Sequence, residues 1–210
     1  MKHNYYNIPG WFNMHEAYDQ LLENCKDGDE ILEIGCFLGR SSSYLATNII
    51  NSGKRVHLHI VDTFQGSSEH ANLKMEKDFF DQFKENCKAF LDGGIMTAHQ
   101  GRSDNEEILK KWEEGHFGGI IVDGAHEYDA VKEDILNWWP KLSDGGSMIG
   151  DDMSLASVQQ AVQDSFGKKL CNGSSGIEYI QGHEQWFSVT KGTESPKCSK
   201  LIPGLNTLNK

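Results

Sequence analysis

Apolar positions along this chain switch repeatedly between a period of about 3.6 and a period of about 2, the signatures of helix and strand. Met14, Tyr18, Leu21, Leu22 and Cys25 recur at helical spacing, and Asp27-Gly28-Asp29 stops that helix. Glu30 to Gly35 reads as a short apolar strand, and Arg40 to Ile50 as a helix closed by Asn51-Ser52-Gly53. Arg55 to Asp62 alternates as a second strand. After a polar loop from Thr63 to Lys74, one helix is expected to carry Phe79, Phe80, Phe83, Cys87, Phe90 and Leu91 on one face. A third strand spans Gly94 to Gln100, a short helix Asn105 to Glu114, and a nearly all-apolar fourth strand Phe117 to Asp123. Tyr128, Val131, Ile135 and Trp138 mark a helix that ends before Pro140, and a fifth strand covers Gly145 to Gly150. Leu155, Val158, Val162 and Phe166 mark the next helix. Strands near Ile177–Gln181 and Gln185–Thr190 close the pattern with no helix between them.

Strands alternating with helices imply an α/β fold, a doubly wound and mostly parallel sheet with helices on both faces. The last two strands, joined near Gly182-His183, suit an antiparallel hairpin, for seven strands in all. One domain over residues 1–191 is expected, with residues 1–27 as an N-terminal helical cap and 192–210 as an irregular tail.

Composition narrows the function classes. An excess of 11 negative charges argues against a broad nucleic-acid or anionic-membrane footprint. No apolar run approaches the ~20 residues of a membrane span, and Met1 to Pro9 does not read as a signal peptide. Five cysteines, none at CxxC spacing, indicate neither a disulfide framework nor a zinc knuckle, so a cytoplasmic protein is expected. Assembly of identical copies stays open.

The first chemistry appears where the first strand meets its helix, in Glu33-Ile34-Gly35-Cys36-Phe37-Leu38-Gly39-Arg40-Ser41. Ligands of open α/β sheets bind at such strand ends. Glycines let the backbone approach a ligand, and the helix start offers N–H and hydroxyl donors to an anion. A dinucleotide requires G-x-G-x-x-G, and here Phe37 occupies the middle glycine position, where it would crowd a pyrophosphate. The pattern E-x-G-x-x-x-G suits instead a ligand whose carboxylate meets the helix. Asp62, ending the second strand, can accept from ribose hydroxyls. A bare strand-to-helix turn, a nucleotide-dependent oxidoreductase and a non-catalytic cofactor-binding module are the competing readings.

ILEIGCFLGRSS resembles the first motif of class I methyltransferases. VDTFQGSSEH, VDGAHEYDAVKEDILNWWPKLSDGG and IGDD resemble a branch containing small bacterial sugar and macrolide O-methyltransferases, related to catechol O-methyltransferase. The resemblance runs from about Gly10 to Asp152. It implies S-adenosylmethionine as cofactor, with Glu33, Gly35, Phe37, Gly39, Arg40 and Ser41 around its methionine end. Asp62 would take the ribose, Thr63 and Phe64 would pass beside the adenosine, and Ser103 would border the adenine. A small-molecule acceptor, with no nucleic-acid or membrane partner, goes with that reading.

Asp123 closes the fourth strand and Asp151-Asp152 follow the fifth, which would bring three carboxylates to one sheet edge beside the cofactor. Such a set suits an octahedral hard cation, Mg²⁺ first, which could hold an acceptor diol. Asp123 and Asp151 are the expected catalytic acids, Asp123, Asp151 and Asp152 the metal ligands, and His126 the general base. The competing reading has Asp151 and Asp152 capping the next helix and His126 packing on the cofactor.

Overall fold

The computed structural model describes residues 1–66, 78–170, 175–178 and 186–192. Most of the polar loop expected after the second strand, and the tail from residue 193, lie outside the described residues.

Seven strands form one sheet in the order β3-β2-β1-β4-β5-β7-β6. They are β1 (Glu30–Ile34), β2 (His57–Asp62), β3 (Met96–Gln100), β4 (Phe117–Val122), β5 (Leu142–Gly150), β6 (Ser175–Glu178) and β7 (Phe187–Lys191). The first five run parallel, and β7 pairs antiparallel with both β5 and β6, as the alternation implied. Strand order reverses at β1, which lies between β2 and β4 and therefore opens a crevice at its carboxyl end.

Side-chain alternation divides the core into two layers. Ile31 of β1, Leu58 and Ile60 of β2 and Ile121 of β4 join the layer under α1 (His15–Asn24) and α2 (Arg40–Ser52). The same layer takes Phe83 from α3 (Phe79–Asn86) and Phe90 from α4 (Lys88–Asp92). Leu32, Ile34, Val61, Ile120 and Val122 point the other way. They meet Ile108 of α5 (Glu106–Leu109), Val131, Ile135 and Trp138 of α6 (Tyr128–Trp138), and Val158 and Val162 of α7 (Ala156–Leu170). Every residue of β4 is buried, which accounts for its nearly unbroken apolar run.

The structure revises several boundaries. The single helix expected over Phe79–Leu91 breaks at Cys87 (φ −98°, ψ 7°), whose Sγ contacts Ser43 and Gly39 of the first crossover. Its apolar stripe still packs as expected, with Phe83 and Phe90 buried. The helix expected from Asn105 to Glu114 stops at Leu109, because the chain turns to bury Trp112 in the core. Asn105 caps it, its Oδ1 accepting from Glu107 N at 2.8 Å. Leu155, expected on the buried stripe of α7, precedes that helix and is exposed.

A polar chain runs across β3, β2 and β1 and reaches the residue before β4. Lys111 Nζ lies 3.0 Å from His99 Nδ1, His99 Nε2 lies 3.1 Å from His59 Nδ1, and His59 Nε2 lies 2.7 Å from Glu30 Oε2. Lysine can only donate, so each imidazole is set to pass a donor onward to the carboxylate. His116 Nε2 meets the same oxygen at 2.8 Å. Burial and the Lys111 charge push His99 down to about 4, so its ring accepts from the lysine as a neutral imidazole.

Candidate active site

A cavity of about 710 Å³ opens at the carboxyl ends of β1, β2 and β4, where the strand order reverses. That is ample for a drug-sized ligand. Gly35 begins its floor with φ +82°, and a Cβ there would stand 2.1 Å from Asp123 O. The glycine therefore lets the loop after β1 pack directly on the backbone after β4, so the expected cofactor loop and the expected acid share one wall. Gly39, at φ +85°, starts α2 from a left-handed conformation against Cys87 and Phe83.

Asp62 organises this wall. Its Oδ2 accepts from Cys36 N at 2.8 Å and Phe37 N at 3.1 Å, and its Oδ1 from Phe64 N at 2.7 Å. Three of roughly four carboxylate lone-pair sites are thus filled by the two loops, leaving one for a ligand in the cavity that Asp62 lines. Phe37, Arg40, Ser41, Thr63, Phe64, Ser103 and Asp123 line the same cavity. Arg40 also donates from Nη1 to Gly10 O at 2.7 Å, tying the N-terminal strap that carries Pro9 and Trp11 to the mouth.

Glu33 departs from the expectation. It is fully buried beneath the loop and accepts from Tyr18 Oη at 2.8 Å and Ser41 Oγ at 2.6 Å, and from Ser42 Oγ. Burial raises its carboxyl above the usual range. The side chain braces α1 and α2 against β1 and does not reach the cavity surface; Gly39 likewise stays behind it.

The acids expected at the metal site are brought together with one change of membership. Asp123, His126 and Asp152 each offer a ligand atom, all within 4.8 Å of one another. His126 Nε2 lies 2.8 Å from Asp152 Oδ2. Asp151 lines the same cavity, but its Oδ1 turns back to accept Asp152 N at 2.8 Å. The helix-cap reading of these acids is not what the side chains do. Burial first, then the charges of Asp151, Glu33 and Asp152, push Asp123 well above the usual carboxylate range, with His126 opposing. Burial and Asp152 push Asp151 up to about 6. Two carboxylate oxygens and one imidazole nitrogen make a more mixed set than the three carboxylates expected, one that suits Mn²⁺ at least as well as Mg²⁺, and the charge of either would offset this crowding.

Asp151 has a consequence for stability. A carboxyl whose folded pKa is raised stays ionised in both states near pH 7.5, where its burial destabilises the fold. The penalty disappears as pH falls through about 6 toward the unfolded value near 4. Asp151→Asn is therefore expected to stabilise the metal-free protein by about 1–3 kcal/mol near pH 7.5. The gain should shrink at pH 4.5 in thermal melts. A pH-independent effect would remove the ionised carboxylate as its cause.

The methyltransferase domain family model matches residues 32–153, which is more than half of the chain. The chain belongs to that family. Members transfer a methyl group from S-adenosylmethionine. No curated protein matches this methyltransferase in sequence. Solved structures share its fold at low identity. A candidate caffeoyl-CoA O-methyltransferase from Staphylococcus aureus is 16% identical, with 89% of this chain and 87% of that one covered at a TM-score of 0.62. CalS11, a TDP-rhamnose 3′-O-methyltransferase of calicheamicin biosynthesis, is 14% identical over 85% of this chain and 79% of its own, at 0.61. MycE of the mycinamycin pathway, solved with Mg and S-adenosylhomocysteine, is 18% identical over 93% of this chain and 53% of its own, at 0.55.

Some cavity residues of this methyltransferase escaped the reading of its sequence. Phe79 lines the cavity and meets Phe37 edge-on at 5.3 Å, although its stripe marked it only as core. Asp134 gave a usable signal, a charged residue inside the buried arc of Val131, Ile135 and Trp138. The His126–Asp152 pair gave none, because it depends on how two loops fold toward each other.

Proposed function

We propose that this methyltransferase is an O-methyltransferase acting on a hydroxyl of a small molecule, with a divalent cation, Mg²⁺ or Mn²⁺, at Asp123, His126 and Asp152. The observation that carries the reading is the convergence of those three ligand atoms in the cavity that also holds the cofactor loop. Bound S-adenosylmethionine supplies an electrophilic methyl on its sulfonium, and the cation would lower the pKa of an acceptor hydroxyl.

The protein's own groups do the rest. The backbone N–H groups at the amino end of α2 take the cofactor carboxylate, while the Ser41 hydroxyl stays on Glu33, and Asp62 takes a ribose hydroxyl. The segment Gly101–Asp104 walls the adenine side. Trp11, Phe37 and Phe79 line the mouth and exclude water from the transfer. Asp151 lines the same cavity, and only its Oδ1 is taken up by Asp152 N, so its second oxygen is placed to receive the acceptor's proton. Transfer is a direct in-line displacement that needs no covalent enzyme intermediate.

Supporting a hydroxyl acceptor, CalS11 is a TDP-rhamnose O-methyltransferase and MycE was solved with Mg. The net charge of −11 and the acidic cavity disfavour RNA or DNA. Cys25, Cys36 and Cys87 are free and buried, which fits a reducing cytoplasm. The 2.8 Å His126–Asp152 pair favours one second reading, a metal-free base in which Asp152 orients His126.

Labelled S-adenosylmethionine, offered with sugar and catechol diols in Mg²⁺, should deliver its methyl to oxygen. Absence of S-adenosylhomocysteine binding in calorimetry would overturn the reading.

A further inference from the structure

Trp11 stands at the cavity mouth on backbone that is anchored to either side of it. Before it, Ile8 is buried, and Gly10 lies against Phe37 with its carbonyl clamped by Arg40 Nη1 at 2.7 Å. After it, the Phe12 ring packs on Tyr18 and Tyr44 at 4.9 and 5.1 Å between centroids. Yet the indole between these anchors is 72% exposed, the most exposed large apolar side chain among the described residues, and it lines the cavity. Its plane lies 28° from that of Phe37 at 6.3 Å. An anchored, exposed indole at the mouth of a cavity is a platform for a cation or a ring.

The charge of the cavity narrows what that platform receives. Among the described residues, eight carboxylates line it against two guanidinium groups and no lysine. Both guanidinium groups are engaged, Arg102 with Asp104 at 2.6 Å and Arg40 with Gly10 O. Glu127, which follows His126 on the lining, is exposed, and its side chain makes no cap hydrogen bond at the start of α6. A divalent cation and the net positive charge of S-adenosylmethionine would offset only about half of the acidic excess. A phosphate or carboxylate on the acceptor meets this field without a free partner, whereas an ammonium is drawn in. Resting on the reading of the cavity as an O-methyltransferase site, we propose that the acceptor is a cationic diol, an amine-bearing arene or sugar, selected by Trp11 and Glu127. Trp11 takes the amine or the ring that bears it on its face, and Glu127 supplies the opposite charge.

The test is calorimetry on the full chain saturated with S-adenosylhomocysteine and Mg²⁺, using two series of diols that differ in charge. One series is 3,4-dihydroxyphenethylamine, neutral 4-ethylcatechol and 3,4-dihydroxyphenylacetate. The other is the methyl glycosides of glucosamine, glucose and glucuronic acid. In at least one series the amine should bind about 10-fold more tightly than its neutral partner and about 100-fold more tightly than the acid at low salt. Whichever series shows it tells whether the amine sits on an arene or a sugar. Raising the ionic strength should narrow the spread. Trp11→Ala should bring the amine within about threefold of its neutral partner, with Trp11→Phe in between. Glu127→Gln should shrink the amine-to-acid ratio by about 10-fold. If S-adenosylhomocysteine binds but neither amine is preferred, or neither binds, this inference falls and the O-methyltransferase reading stands. A Trp11→Ala protein that keeps the wild-type preference also overturns it. If S-adenosylhomocysteine itself does not bind, the cofactor reading falls, and this inference with it.

Discussion

Asp152→Asn is expected to lower methyl transfer by about 1,000-fold while changing S-adenosylhomocysteine affinity by less than about threefold. Asp152 holds φ +59°, a left-handed conformation that asparagine tolerates nearly as well, so the backbone should survive the change. What is lost is one charge from the cluster of Asp123, His126 and Asp152. Removing a ligand from a site of this kind forfeits several kcal/mol of transition-state stabilisation, about 4 kcal/mol for the expected fall. The proposed cofactor contacts lie with Asp62 and the loop after β1, which the substitution leaves alone. EDTA should inhibit the wild type reversibly, with Mg²⁺ or Mn²⁺ restoring the rate. If exhaustive chelation has no effect while Asp152→Asn is still inactive, the His126–Asp152 pair acts as a metal-free base. Full activity of Asp152→Asn would sink both readings.

Strand ends were the part of the site that the sequence made legible. A strand has a fixed period, so the last residues of β1, β2 and β4 could be placed on one sheet edge from alternation alone. That placement put Gly35, Asp62 and Asp123 together, and the structure brings them into one cavity wall. Side-chain direction inside a loop has no such period. Glu33 was read as a cavity residue because it stands in the loop motif, yet strand alternation turns it inward to Tyr18 and Ser41. Asp151 and Asp152 were equivalent on paper. The positive φ of Asp152 sends one acid toward His126 and leaves the other bonded to the backbone.

Three non-glycine residues hold positive φ among those described, Phe37, Phe64 and Asp152, and all three line the cavity. Each conformation costs of order 1 kcal/mol or more, and such strain persists only where the surroundings impose it. For Phe37 and Phe64 the imposing group is Asp62, whose carboxylate holds the amide of each. Left-handed backbone at Phe37 is what a glycine would supply in a dinucleotide loop. Here a side chain accompanies it and lines the cavity.

That double duty gives Asp62→Ala its large expected effect, a loss of S-adenosylhomocysteine affinity of about 100- to 1,000-fold by calorimetry. The variant strips the acceptor from Cys36 N–H, Phe37 N–H and Phe64 N–H at once. Hydrogen bonds to a charged group contribute about 1.5–3 kcal/mol each, so the strained loops lose what holds them and the fold should lose stability as well. Asp62→Asn should fall between, since its one remaining oxygen can keep the Cys36 and Phe37 donors while the amide turns away Phe64 N–H. A cofactor analogue separates loop support from ribose recognition. Deleting a ribose hydroxyl, as in the 3′-deoxy form of S-adenosylhomocysteine and its 2′-deoxy counterpart, should weaken wild-type binding by about 10-fold for the hydroxyl that Asp62 accepts. The same deletion should cost Asp62→Ala almost nothing, because the acceptor is already gone. If each deletion costs both proteins equally, Asp62 shapes the loops without touching the ribose.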